Sequence, residues 1–184
     1  MSDGLTPFSS DGATCRWVTP EAHAVDLEVR WDNEAWTVAM RAERERVEGV
    51  LRVSPSWGIR QFLLFRDLDQ PDLWLANDGH ARWGEINGAH RPDLDGCTDL
   101  DVAIAPFGVT VPIRRLGLNV GDAAELQVAV VDVETLGVTP QRYVLARLAT
   151  RTWRLVVTAR DVDVEFGIDE HGVVVDVDGF TRLT

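Results

Sequence analysis

The feature that most constrains this chain is alternation. Val25, Leu27, Val29 and Trp31 alternate with Asp26, Glu28 and Arg30. Trp36, Val38, Met40 and Ala42 alternate with Thr37, Ala39 and Arg41. A period of two places apolar side chains on one face of an extended strand and polar ones on the other. Asp32-Asn33-Glu34-Ala35 supplies the turn between the two. Val47–Val53 and Ile59–Arg66 repeat the pattern around the break Ser54-Pro55-Ser56. "DLWLANDGHARWG" reads as a hairpin turned at Asn77-Asp78-Gly79, whose residue types tolerate positive φ. Leu126, Val128 and Val130, then Gln141–Leu148 and Trp153–Arg160, continue the series, and "DVDVEFGIDEHGVVVDV" reads as a second hairpin turned at Asp169–Gly172.

The pattern gives roughly ten or eleven strands and no segment of clean helical period. The best helical candidate, Arg41–Glu48, is charged but also alternates and reads as strand, while Gly121–Glu125 fits one helical turn. Strands without interleaved helices argue an all-β, mostly antiparallel sheet, curved so that few edges stay open. Residues 1–14 are rich in Ser, Gly, Asp and Thr and read as a loose leader, followed by a single β domain over 15–184. A chain of 184 residues buries roughly 70% of its unfolded surface, enough for a core without staples.

Charge narrows the function classes. The net charge of -12 repels nucleic-acid backbones and anionic membranes. All 18 basic residues are arginine, so lysine Schiff-base and Walker-type chemistry is excluded. Two cysteines, Cys15 and Cys97, make no disulfide framework and are expected to be free. The first residues carry neither a basic nor an apolar signal region, and no apolar run approaches a membrane span, so the cytoplasm is the expected compartment.

The densest stretch is "LDGCTDLDVAIAPFGVTVPIRRL", Leu94–Leu116. Asp93, Asp95, Asp99 and Asp101 crowd one Gly-Cys step, but the spacing fails the EF-hand rule: Gly96 comes too early and the twelfth position is Ile104. The four histidines are scattered and no metal site is expected. Asp99 and Asp101 share one strand face, with Leu100, Val102 and Ile104 on the other. Pro106 and Pro112 send the next segment along an edge or over a rim. Arg114 and Arg115, read as adjacent on a strand, point to opposite faces, and the inward one needs a carboxylate, for which Asp99 and Asp101 are nearest. A buried brace and a headgroup contact both fit. Trp57, Trp74, Trp83 and Trp153 lie on or beside strands, where they either line a ligand cavity or fill a solid core.

The stretch Leu94-Asp95-Gly96-Cys97, Asp99-Leu100-Asp101, Pro106-Phe107 and Pro112-Ile113-Arg114-Arg115-Leu116 resembles the signature of the glycolipid-binding family of bacterial proteins, long held to be a domain of unknown function. Gln141-Arg142-Tyr143 resembles the family's Gln-x-Tyr, and "GIDEHGVVVDV" its closing hairpin. The likeness covers about residues 24–184. It departs at Gly108-Val109-Thr110-Val111, where the family carries Thr-Asn-Thr-Leu, and at Val177-Asp178, where it carries Tyr-Pro.

The resemblance implies an incomplete barrel similar to lipoprotein-carrier folds, and binding of a lipid or glycolipid without cofactor or metal. The candidate ligand-binding residues are Arg114, Arg115, Asp99, Asp101, Trp74, Trp83 and Tyr143. The alternative is a hydrolase of sugar or lipid esters using Asp95, Asp99 or Cys97, although no GxSxG, GxGxxG or P-loop motif is present. A ligand-free oligomerisation module is a third, plainer reading.

Overall fold

A computed structural model describes residues 4–43, 46–67, 70–177 and 179–183. Strands β1 (Ala13–Val18), β2 (Ala24–Asp32), β3 (Ala35–Ala42), β4 (Val47–Val53), β5 (Ile59–Arg66), β6 (Leu73–Asn77) and β7 (Trp83–Glu85) come first. A 3-10 turn at Pro92–Leu94 leads to β8 (Asp99–Val102) and helix α1 (Thr110–Leu116). Then follow β9 (Ala123–Val131), β10 (Val138–Arg147), β11 (Thr152–Val157), β12 (Val162–Gly167), β13 (Asp176–Val177) and β14 (Phe180–Leu183). With strand at 51% and helix at 7%, the fold is all-β.

Nine strands form one sheet in the order β13-β14-β1-β2-β3-β4-β5-β6-β7, and five form another in the order β12-β11-β10-β9-β8. Among the described residues every pairing is antiparallel except β8 with β9. An Ile168–Val174 bridge extends the hairpin that carries the chain from the five-stranded sheet to the nine-stranded one. The strands thus follow one long curl whose free ends are β7 and β8. Among the described residues those two share no ladder, so the barrel is incomplete.

Alternation decides which residues enter the core. Val25, Leu27 and Val29 of β2 meet Val38 and Met40 of β3 inside, with Leu51, Phe62, Leu64, Leu75 and Trp83 beyond them. β9 is apolar on both faces, while β8 turns Leu100 and Val102 inward and carries Asp99 and Asp101 on its other face. Leu100, Val102, Ala129 and Val131 join this main core, while Leu126 and Val128 join a second one with Leu145, Trp153, Phe166 and Ile113 of α1. Helix α1 is therefore packed against the curl of the smaller sheet.

Three expectations are corrected. Arg114 and Arg115 lie on α1, not on a strand. Pro112 sits in the first turn, where its missing N–H leaves no helical bond unmade, and Gly117 closes the helix at φ 56°. The Gly121–Glu125 segment is no helical turn: Gly121 takes φ 94° and β9 starts at Ala123. The strand expected over Trp153–Arg160 ends at Val157 and passes into a 3-10 turn, Thr158–Arg160. The additional strands β13 and β14 are too short to show a period, and β1 lies partly within the segment read as leader.

In that segment Phe8 is buried, its ring 5.0 Å from His171 and 5.7 Å from both Trp36 and Trp57. The Thr6 amide donates to the Glu170 carbonyl at 2.8 Å. Phe8→Ala is expected to lower stability by about 3 kcal/mol in chemical denaturation, the usual cost of emptying a buried aromatic site. A neutral Phe8→Ala would mean that residues 1–14 behave as a loose leader.

Candidate functional site

Asp99 and Asp101 share one face of β8, as their spacing requires, and each has a different partner. Asp99 is buried and pairs with Arg115 from α1. Its Oδ2 also accepts the Thr98 hydroxyl at 2.7 Å. This pair ties the start of β8 to the last turn of the helix. Because a guanidinium offers five N–H donors, the contact to Asp99 leaves others unused, and Arg115 Nε is buried with no partner among the described residues.

Arg114 points elsewhere. Its guanidinium lies 4.5 Å over the Trp57 ring and 4.8 Å over Phe8, and Nη1 donates to the carbonyls of His171 at 2.5 Å and Thr6 at 3.3 Å. Burial lowers its pKa below the ordinary arginine value, with Asp169 opposing. The two arginines diverge because successive helical positions differ by about 100°, so the divergence expected for a strand survives the change of element.

Asp101 forms the second polar cluster. Tyr143 on β10 donates its hydroxyl to Asp101 Oδ2 at 2.5 Å. Arg160 Nη2 donates to the same oxygen at 3.2 Å and to the Tyr143 oxygen, and its guanidinium lies 5.2 Å over the Tyr143 ring. Burial, followed by the Asp101 charge and its hydrogen bond, pushes the Tyr143 phenol far above its ordinary range, so it remains a donor. A Cβ on Gly108 would stand 2.5 Å from Asp101 Oδ1, so the glycine makes room for this carboxylate.

Beside this cluster a groove of about 540 Å³ opens between the facing ends of β3 and β4 and the strands β8, β9 and β10. Ala42, Val47, Ile104, Val130, Val131 and Val133 form its apolar part. Asp101, Asp132, Glu134, Thr139, Gln141 and Arg160 supply hydrogen-bonding groups. Gln141 Oε1 is buried and meets no hydrogen-bond partner among the described residues.

The other candidates are placed differently. Trp83 is fully buried and donates from Nε1 to the Cys97 carbonyl at 2.8 Å, so it belongs to the solid core. Trp74 is half-buried opposite Leu63, on the face of β6 away from the inward Leu75. Asp95 meets His90 at 2.9 Å. Cys97 is buried, and burial followed by Asp93, Asp99 and Asp95 raises its thiol to about 11. Cys15 is also free and buried, its sulfur accepting from Arg182 at 3.0 Å. Asp178 lies outside the described residues. Arg160 had no signal in the alternation, and Gln141 was visible only as part of the Gln-x-Tyr motif.

The profile of the family described as "Putative glycolipid-binding" matches residues 16–182. The crystal structure of a DUF1089 family protein from Pseudomonas aeruginosa, determined at 1.80 Å, is similar with a TM-score of 0.73 and 26% identity. The match covers 98% of this chain and 96% of that one. No curated protein matches.

Arg115→Ala is expected to cost about 3–5 kcal/mol, because it leaves the Asp99 carboxylate buried without its cation. Equal denaturation midpoints for variant and parent would remove the brace. At pH 7.5 the native protein is expected to leave Cys97 unlabelled by iodoacetamide, with both thiols reacting after unfolding. The folded thiol at about 11, against an ordinary 9.0, favours the neutral form, so its stabilising contribution is intact below about pH 9 and is lost as pH rises through 11. Rapid native labelling would contradict this.

Proposed function

The chain belongs to the "Putative glycolipid-binding" family, and from that premise we propose that it holds a glycolipid, or an amphiphile of the same build, in the groove beside Asp101, Gln141 and Arg160. The observation that carries this reading is the groove's division into two chemistries. A sugar needs acceptors and donors fixed in place, and Asp101, Thr139, Gln141 and Arg160 provide both kinds. An alkyl chain needs only apolar surface, which Ala42, Val47, Ile104, Val130, Val131 and Val133 offer. The orphaned Gln141 oxygen gains a partner when a hydroxyl arrives, which favours the occupied state.

On this reading Tyr143 acts behind the ligand by holding Asp101, and Trp83 contributes rigidity rather than contact. Arg115 and Asp99 are the brace beneath the site. The protein works without cofactor or metal, and the free thiols fit a reducing compartment such as the cytoplasm. No helix among the described residues is long and apolar enough to cross a membrane. A net charge of -12 disfavours nucleic acid as a partner. The hydrolase alternative draws less support. Cys97 is buried with a raised pKa, Asp99 is committed to Arg115, and Asp95 does not line the groove.

Native mass spectrometry with octyl glucoside, below its micelle concentration, tests the proposal. One molecule is expected to bind, glucose alone far more weakly, and Arg160→Ala or Gln141→Ala is expected to weaken binding about tenfold, the loss of one good polar contact. Undiminished binding by both variants would overturn it.

A further inference from the structure

The groove leaves one half of the signature stretch unused. Thr98, from its Gly-Cys turn, and Arg115, from α1, both face a separate cavity of about 220 Å³. The β4–β5 turn contributes Ser54, Ser56 and Gly58 to this cavity, β5 contributes Ile59 and Arg60, the end of β6 contributes Asn77, and the β6–β7 turn contributes Gly79 and Ala81. Two guanidinium groups, three hydroxyls and an amide therefore converge on one small space. Among the described residues no carboxylate lines it, in a chain whose net charge is -12.

The donors are held in place. Arg115 is anchored from behind by Asp99, and its buried Nε has no partner among the described residues. Arg60 Nη1 donates to the Asp78 carbonyl at 3.1 Å and lies directly over Gly79. A Cβ at residue 79 would stand 1.8 Å from that nitrogen, and the residue's φ of +90° suits glycine. The Asp78 carboxylate is turned away, with Oδ1 accepting the amides of His80 at 2.7 Å and Arg82 at 3.3 Å. Ser54 and Ser56 hold their hydroxyl oxygens 3.1 Å apart, and the Gly58 amide fixes Ser54 Oγ at 3.0 Å. Paired guanidiniums backed by hydroxyls match the tetrahedral oxygens of a phosphate group.

We propose that this cavity binds a phosphate group, through Arg60 and Arg115 as charge partners and Ser54, Ser56 and Asn77 as hydrogen-bond partners. The site is separate from the groove and does not depend on glycolipid binding. Its phosphate is carried either by a small anion or by a lipid headgroup, and two arms of one experiment tell these apart.

In the first arm the full chain is titrated with inorganic phosphate by calorimetry in a phosphate-free buffer. Saturable one-to-one binding is expected. Arg60→Ala should weaken it about ten- to a hundredfold, the range for losing a charged donor. Because Arg60 is exposed, that variant should melt like the parent without phosphate, and Arg30→Ala, an exposed arginine on β2, should bind like the parent. In the second arm, phosphatidylcholine vesicles with and without phosphatidic acid are sedimented with parent and Arg60→Ala. Phosphatidic acid-dependent, Arg60-dependent co-sedimentation assigns the site to a headgroup, and phosphate binding without it assigns the site to a free anion. Absence of saturable phosphate binding together with Arg60-independent sedimentation overturns the proposal, as does phosphate binding that Arg60→Ala leaves unchanged.

Discussion

The contact on which the rest of this structure turns is the buried pair between Asp99 and Arg115. β8 is the only described strand that joins its neighbour in parallel, and a four-residue parallel strand at a sheet end has little ladder to hold it. The ion pair fixes it to a helix of seven residues, too short to be stable alone. Each element thus depends on the other. Their junction seats Ile113 in the second core and Val111 in the first, so a single electrostatic contact bridges the two hydrophobic clusters. A buried pair of this kind contributes modestly in net terms but is severe to break, which suits a role in fixing one arrangement rather than adding stability.

From that brace the two polar sites fall on either side of β8. Asp101, two residues along the same face, is left for Tyr143 and Arg160 at the groove. Arg115 reaches past Asp99 to the cavity shared with Arg60. The period of two separates the jobs: consecutive carboxylates on one strand face serve a structural cation and a ligand groove. Arg114, one residue before Arg115, is absorbed by Phe8 and Trp57 and ties the N-terminal segment to the helix.

Much of this was legible in the sequence. The alternation of β2 and β3 set their inward faces, and the equal spacing of Asp99 and Asp101 set theirs. A pairing of one arginine with Asp99 or Asp101 followed from the cost of an unpaired buried charge. Helix α1 was misread because Val109–Ile113 is apolar enough for a strand, although Pro112, the late arginines and Gly117 are the signals of a short helix. The parallel pairing of β8 was invisible, since alternation reports a strand's faces and not its neighbour. Arg160 was missed for the same reason: it follows a strand in a 3-10 turn and reaches Asp101 across 59 positions of chain. The aromatic residues divided in a way composition did not foretell, with Trp83 in solid core and Trp57 beneath a guanidinium.

The central claim is that an amphiphile enters beside Asp101 and Arg160, between the β3 and β4 ends and the β8–β10 strands. Amide chemical-shift mapping during titration with decyl maltoside tests it most directly. The account predicts that the largest shifts fall on Ala42, Val47, Ile104, Val130–Val133, Gln141 and Arg160. Shifts centred instead on the cleft between Leu5, Leu118 and Trp153, or spread evenly over the surface, would contradict it.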